Sequence, residues 1–192
     1  MKRNFLLGLG LWCIAVTLTG CPPSDNGQND TSDNEHKTEL EGTWLGTAER
    51  EWDHHVHHME IKLEFRGSEV ASSLSWHSDD GAWGETAQKG TFKLDTSQDP
   101  KHIDLFFTWE SILEFTPGAE LYEQAGTLED VYREEYALYP EEYPWLIELD
   151  GTLTQMALGI YRVAGNELTI QFGAFHEHPS DFHDHALALT RE

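Results

Sequence analysis

The residues best placed to do chemistry are six histidines in three His-x-His pairs: His55 and His57 in HHVHHMEIKLEF (54–65), and His176, His178, His183 and His185 in AFHEHPSDFHDHALAL (174–189). On an extended strand, residues i and i+2 project the same way with Cα atoms roughly 6.5–7 Å apart, a spacing that suits two imidazoles holding one ion. Asp53, Glu177, Asp181 and Asp184 lie among them and could orient the imidazoles or bind directly. With no thiol expected in the mature domain, such a His/carboxylate set favours Zn²⁺, Cu²⁺ or Ni²⁺. The bland alternative is that loop histidines on an acidic surface bind cations weakly and unselectively. His77 and His102 read as isolated strand-end residues with structural roles.

The elements that must position these groups alternate with period 2. Met59, Ile61, Leu63 and Phe65 are apolar against Glu60, Lys62 and Glu64, and parity selects His55 and His57 over His54 and His58 for the inward face. Similar strands are expected around Trp44 to Ala48, Val70 to Trp76, Gly90 to Asp95, His102 to Trp109, Met156 to Val163, Leu168 to Phe172 and in the closing HALALTR, with HSDDGAWGE as a loop. Ile103, Leu105, Phe107 and Trp109 are expected on one face. About eight short strands separated by turn signals favour an antiparallel barrel or sandwich. His176 and His178 continue the parity of Leu168, Ile170 and Phe172, and His183 and His185 share that of Leu187 and Leu189.

LEGTW (40–44), GTFKLD (90–95) with PKHIDL (100–105), GIYRVAGNELTIQF (159–172) and LALTR (187–191) together resemble the bacterial lipocalin-like domain family of planctomycete-type genomes. The resemblance covers most of 40–109 and 156–191 and implies an all-β, eight-stranded antiparallel up-and-down barrel of the calycin type, without fixing an activity. It also implies that Trp44 and Arg191 pack together as a plug closing one end, a cation–π contact. Up-and-down order then puts the long loops and nearly all histidines at the other end, where the three pairs could converge. The chain departs from the family by an insertion at about 110–149, between the fifth and sixth barrel strands. There Thr127 with Glu129 and Asp130 offers a helix start, and Pro140 and Pro144 a stop. Met59, Ile61, Trp76 and Phe107 would line a ligand cavity or simply fill the barrel.

The first 20 residues read as a secretion signal ending in Leu18-Thr19-Gly20-Cys21, a lipobox that makes Cys21 the acylated N-terminus. Residues 21–39 read as a disordered tether, and 40–192 as one domain without a disulfide. Pro22 after the cysteine points to the outer rather than the inner membrane, with the domain extracytoplasmic. A formal net charge of −23 repels nucleic acid and anionic headgroups and attracts cations. There is no Gly-x-Ser-x-Gly elbow, no phosphate-binding Gly loop, and His176-Glu177-His178 is not His-Glu-x-x-His, so no enzyme is expected. The expected function is that of a monomeric, membrane-anchored envelope lipoprotein with a transition-metal site at the barrel rim. The alternatives are a binder of a small hydrophobic molecule, or an interaction module using the acidic insertion.

Overall fold

A computed structural model describes residues 39–52, 54–173, 177–183 and 186–192. The alternating stretches form ten strands: β1 Gly42–Trp52, β2 His55–Arg66, β3 Glu69–Ser78, β4 Trp83–Asp95, β5 Lys101–Phe115, β6 Tyr122–Thr127, β7 Leu146–Leu149, β8 Thr152–Ala164, β9 Glu167–Phe172 and β10 Leu187–Arg191. Helix α1 spans Leu128–Leu138, and a 3-10 turn, Pro140–Glu142, follows it. All pairings are antiparallel, and the one between β5 and β8 closes β1–β5 and β8–β10 into an eight-stranded lipocalin-like barrel. The helix lies in the insertion between the fifth and sixth barrel strands, as the sequence leads one to expect.

With β1 taken as running upward, alternation buries the lower interior completely. Trp44, Leu63, Phe65, Ile103, Leu105, Leu168 and Ile170 are wholly shielded from solvent. At this end the Arg191 guanidinium carbon lies 4.4 Å from the centroid of the Trp44 ring. Trp44 Nε1 donates to the Leu40 carbonyl at 2.8 Å, and Arg191 Nη2 donates to the Glu39 carbonyl at 2.5 Å. The Glu39 carboxylate accepts from Lys101 Nζ at 2.7 and 2.9 Å and from the Tyr161 hydroxyl at 2.9 Å. Residue 39 is thereby fixed to the lower end, while Arg191 Nε is buried without a hydrogen-bond partner among the described residues.

Two strands run further than their sequence suggests. β4 already begins at Trp83, inside the stretch read as a loop, and β5 continues through Glu110–Phe115, which the insertion reading set outside the barrel. The two extensions pair with each other, Trp83 with Phe115 through Lys89 with Trp109, beyond a β-bulge between Lys89 and Gly90, where Gly90 pairs with Phe107 and Thr108 is left over. An extra residue reverses side-chain parity. Trp109 therefore points outward under the Lys89 ammonium, 4.6 Å from its ring centroid, instead of sharing the face of Ile103, Leu105 and Phe107. Glu110 turns inward in its place and is buried. Only glycine fits at position 90, because a Cβ there would sit 1.8 Å from the Phe106 carbonyl oxygen.

The insertion extends the two strands it interrupts: β6 pairs with the upper half of β5, and β7 pairs with the start of β8. Thr127 caps α1, its hydroxyl accepting from Asp130 N at 3.1 Å, with Glu129 and Asp130 in the first turn. The helix buries Leu128 and Tyr132 against Tyr143, Leu146 and Leu153, a second core above the first.

Candidate functional site

The upper end of the barrel has two sides. On the side of β4, β5 and β8, inward-facing polar groups meet beneath α1. Gln88 Nε2 donates to Glu110 Oε2 at 3.0 Å and to Gln155 Oε1 at 2.7 Å, while the Tyr132 hydroxyl donates to Glu110 Oε1 at 2.7 Å. Burial pushes the Glu110 carboxyl above its usual range, against the lowering effect of these two donors. Burial and the same carboxylate push the Tyr132 hydroxyl up. This network latches the insertion to the barrel interior.

The side formed by β1, β2 and β3 carries the histidines. His55 is the first residue of β2, and its Nδ1 lies 2.8 Å from Asp79 Oδ1 while its Nε2 lies 3.9 Å from Asp80 Oδ2. The hydrogen bond from His55 holds the Asp79 carboxyl below its usual range, and bonds from Ser78 and the Ala82 amide do the same for Asp80. His57 faces inward over Trp76, ring centroids 5.4 Å apart. Trp76 in turn lies flat on Gly84, where a Cβ would come within 2.6 Å of its indole nitrogen. One residue further, on the outer wall, His58 Nδ1 lies 2.9 Å from Glu49 Oε1, and its ring stacks on His77 with centroids 5.0 Å apart.

The remaining predicted ligands divide. Cys21, His176 and His185 lie outside the described residues, as do Asp53 and Asp184. His178 is not at the rim. Its Nε2 lies 2.7 Å from Asp104 Oδ1, and its ring stacks on His102 with centroids 4.0 Å apart. Both partners sit near the lower end of β5, on the outer wall. His183 donates its backbone N–H to Gln171 Oε1 at 2.6 Å, and Phe182 lies under Arg162, 5.2 Å from the guanidinium carbon. The segment 177–183 therefore folds down the outside of β5, β8 and β9. The reason is that β9 is short: Phe172 pairs with Gly159, and Gly159 pairs with Ile103 only two residues after β5 begins. The loop thus leaves the barrel low on this side. Outward-facing Leu158 and Ile160, neighbours of Asp104 and His102, are buried on the same wall. Burial and the adjacent His178 hold the His102 imidazole below its usual range. Among the described residues no three His, Cys, Asp or Glu side chains converge as a cage for a metal.

Of the expected cavity residues, Ile61 and Phe107 are buried in the packed interior, while Met59 and Trp76 are half-buried near its mouth. An open trough of about 1150 Å³ lies on the outer wall, lined by Thr47, Lys62, Ser75, Glu85 and Leu113, and of the four expected cavity residues it reaches only Ile61. Sequence reading set His58 aside by parity and gave His77 and His102 isolated structural roles, without seeing that His58 stacks on His77 and His102 on His178. The cross-strand register that pairs them cannot be read from spacing along one strand. It also passed over Glu110, whose inward turn depends on the bulge.

Fold and site together define a lipocalin-like barrel with one packed end and one end rich in imidazole and carboxylate. No family model matches the chain, and no curated protein is significantly similar to it.

Proposed function

We propose that the protein is a lipid-anchored binding protein of the cell envelope that takes a late first-row transition-metal ion, Zn²⁺ or Cu²⁺, at the upper end of β1–β3. The observation carrying this reading is the setting of His55. A carboxylate 2.8 Å from Nδ1 orients the imidazole, Asp80 lies 3.9 Å from its Nε2, and His57 is on the same strand. A chain with net charge −23 concentrates cations around such a site. The anchor is proposed at Cys21, in the outer membrane. Its support is the lipobox together with the fixing of Glu39 at the lower end, which leaves the histidine end free to face away from lipid.

Calorimetric titration of the mature protein in detergent with Zn²⁺ and Cu²⁺ tests the metal. Binding well below millimolar, with at least one class of bound ion lost in His55→Ala/His57→Ala, is the expected result. Affinity no tighter than about millimolar, or unchanged by the substitutions, overturns it. Anchoring is tested separately: Cys21→Ser should move the protein from the membrane to the soluble fraction of the envelope.

A further inference from the structure

His58, set aside by parity along β2, makes the better chelate with a residue across strands, His77 of β3. His58 and His77 are direct register partners in the β2–β3 ladder, and Glu49 is the partner of His58 in the β1–β2 ladder. All three project outward, because the inward face of β2 belongs to Ile61, Leu63 and Phe65. We propose that His58 and His77 form a second, outer-wall metal site, a two-imidazole chelate for Cu²⁺, and more weakly Zn²⁺, with Glu49 orienting His58. It extends the reading that this end of the barrel takes transition-metal ions.

The geometry is close to what such a chelate needs. Metal–nitrogen bonds of about 2.0–2.1 Å put each imidazole centroid roughly 3.1 Å from the ion, so two rings at a near-tetrahedral angle have centroids about 5 Å apart. The observed separation is 5.0 Å, so the spacing fits; the rings are stacked, 23° from parallel, and turn about their χ2 bonds to aim both Nε2 atoms at one ion. Opposed residues on neighbouring strands approach more closely at Cα, about 4.5–5.5 Å, than i and i+2 on one strand, about 6.5–7 Å. The Glu49 oxygen 2.9 Å from His58 Nδ1 holds the proton there and leaves Nε2 as the ligand. His57, by comparison, has Trp76 against its ring on the inner face. The site is open to solvent, with 44% of the His58 side chain accessible, so water completes the coordination. An open site with two nitrogen ligands ranks Cu²⁺ above Zn²⁺.

The test is a Cu²⁺ titration of the mature protein in detergent, followed by calorimetry and electron paramagnetic resonance, on the wild type and on His58→Ala/His77→Ala, His55→Ala/His57→Ala and Glu49→Gln. Circular dichroism confirms that each variant is folded. The wild type should show two classes of bound Cu²⁺. His58→Ala/His77→Ala should delete one class and its two-nitrogen spectrum, His55→Ala/His57→Ala should leave that class in place, and Glu49→Gln should weaken it about tenfold. If His58→Ala/His77→Ala keeps both classes, the outer-wall site is overturned while the site at His55 and His57 stands. If His55→Ala/His57→Ala changes nothing while His58→Ala/His77→Ala abolishes all binding, the outer-wall site stands and the site at His55 and His57 falls. A wild type that binds no Cu²⁺ overturns both.

Discussion

The lower and upper halves of the barrel are built on the same strands and carry opposite chemistry. Below, the inward positions of β1, β2, β5 and β9 hold Trp44, Leu63, Phe65, Ile103, Leu105 and Ile170, all fully buried, and Arg191 seals the end against Trp44. Above, inward positions hold His57, Trp76, Gln88, Glu110 and Gln155. The lower half is therefore a packed base that gains from area removed from water. The upper half keeps Gln88, Glu110 and Gln155 inside because Gln88 bonds both neighbours and α1 brings Tyr132 down to Glu110, while His55 with Asp79 and Asp80 stays partly open to solvent. Stability and the proposed binding are thus separated along the strand axis.

Trp44→Ala should have the largest effect on this division. It removes a fully buried indole together with its cation–π and hydrogen-bonding partners, at a cost of about 3–5 kcal/mol in chemical denaturation. Metal affinity of the fraction still folded should not change, and a loss of affinity there would break the separation of the two ends. Next, Tyr132→Phe leaves Glu110 Oε1 without its donor and should cost about 1–3 kcal/mol, with faster proteolysis of the insertion before the barrel unfolds. Thr127→Ala removes only the cap of α1 and should cost about 1 kcal/mol, read as a shift in the same denaturation midpoint.

The pH dependence should differ between buried Glu110 and half-buried His102. Glu110 is raised in the folded state, so its contribution to stability is fully present below the unfolded carboxyl value of about 4.3 and is lost as pH rises through its folded value. Glu110→Gln should therefore flatten the loss of stability on the alkaline side of that range. His102 is lowered in the folded state, so its contribution is present above the unfolded imidazole value of about 6.5 and is lost as pH falls through the folded one. Protonating His102 places charge beside His178 and between Asp95 and Asp104, with Lys93, Lys101 and Arg162 also on this wall. The smallest effect should be here: protection of 177–183 against amide hydrogen exchange, corrected for the intrinsic pH dependence of exchange, should fall as pH drops below the unfolded imidazole value in the wild type, and His102→Asn should remove that change.

Much of the fold was legible because alternation and turn residues act locally. The face of Met59, Ile61, Leu63 and Phe65, the cap at Thr127 and the contact of Trp44 with Arg191 need little beyond a strand, a helix start and barrel closure. The interior of the insertion was less legible, since β6 and β7 owe their strand form to pairing with β5 and β8 rather than to a strong pattern of their own. The site was partly legible. Composition marked the histidines and the parity of β2 placed His57 inside, but His178 could not be placed without the length of β9.

The sequence by itself determined an acidic, disulfide-poor chain of short alternating strands with imidazoles clustered near strand ends, because composition and period 2 are properties of the chain alone. Tertiary structure decided which imidazoles meet. Register set His58 opposite His77, one bulge turned Glu110 inward and Trp109 outward, and a short strand sent His178 to the outer wall. The physical reason is that side-chain direction flips with every residue of register, so a single extra or missing pairing reassigns whole faces that spacing along the chain leaves undetermined.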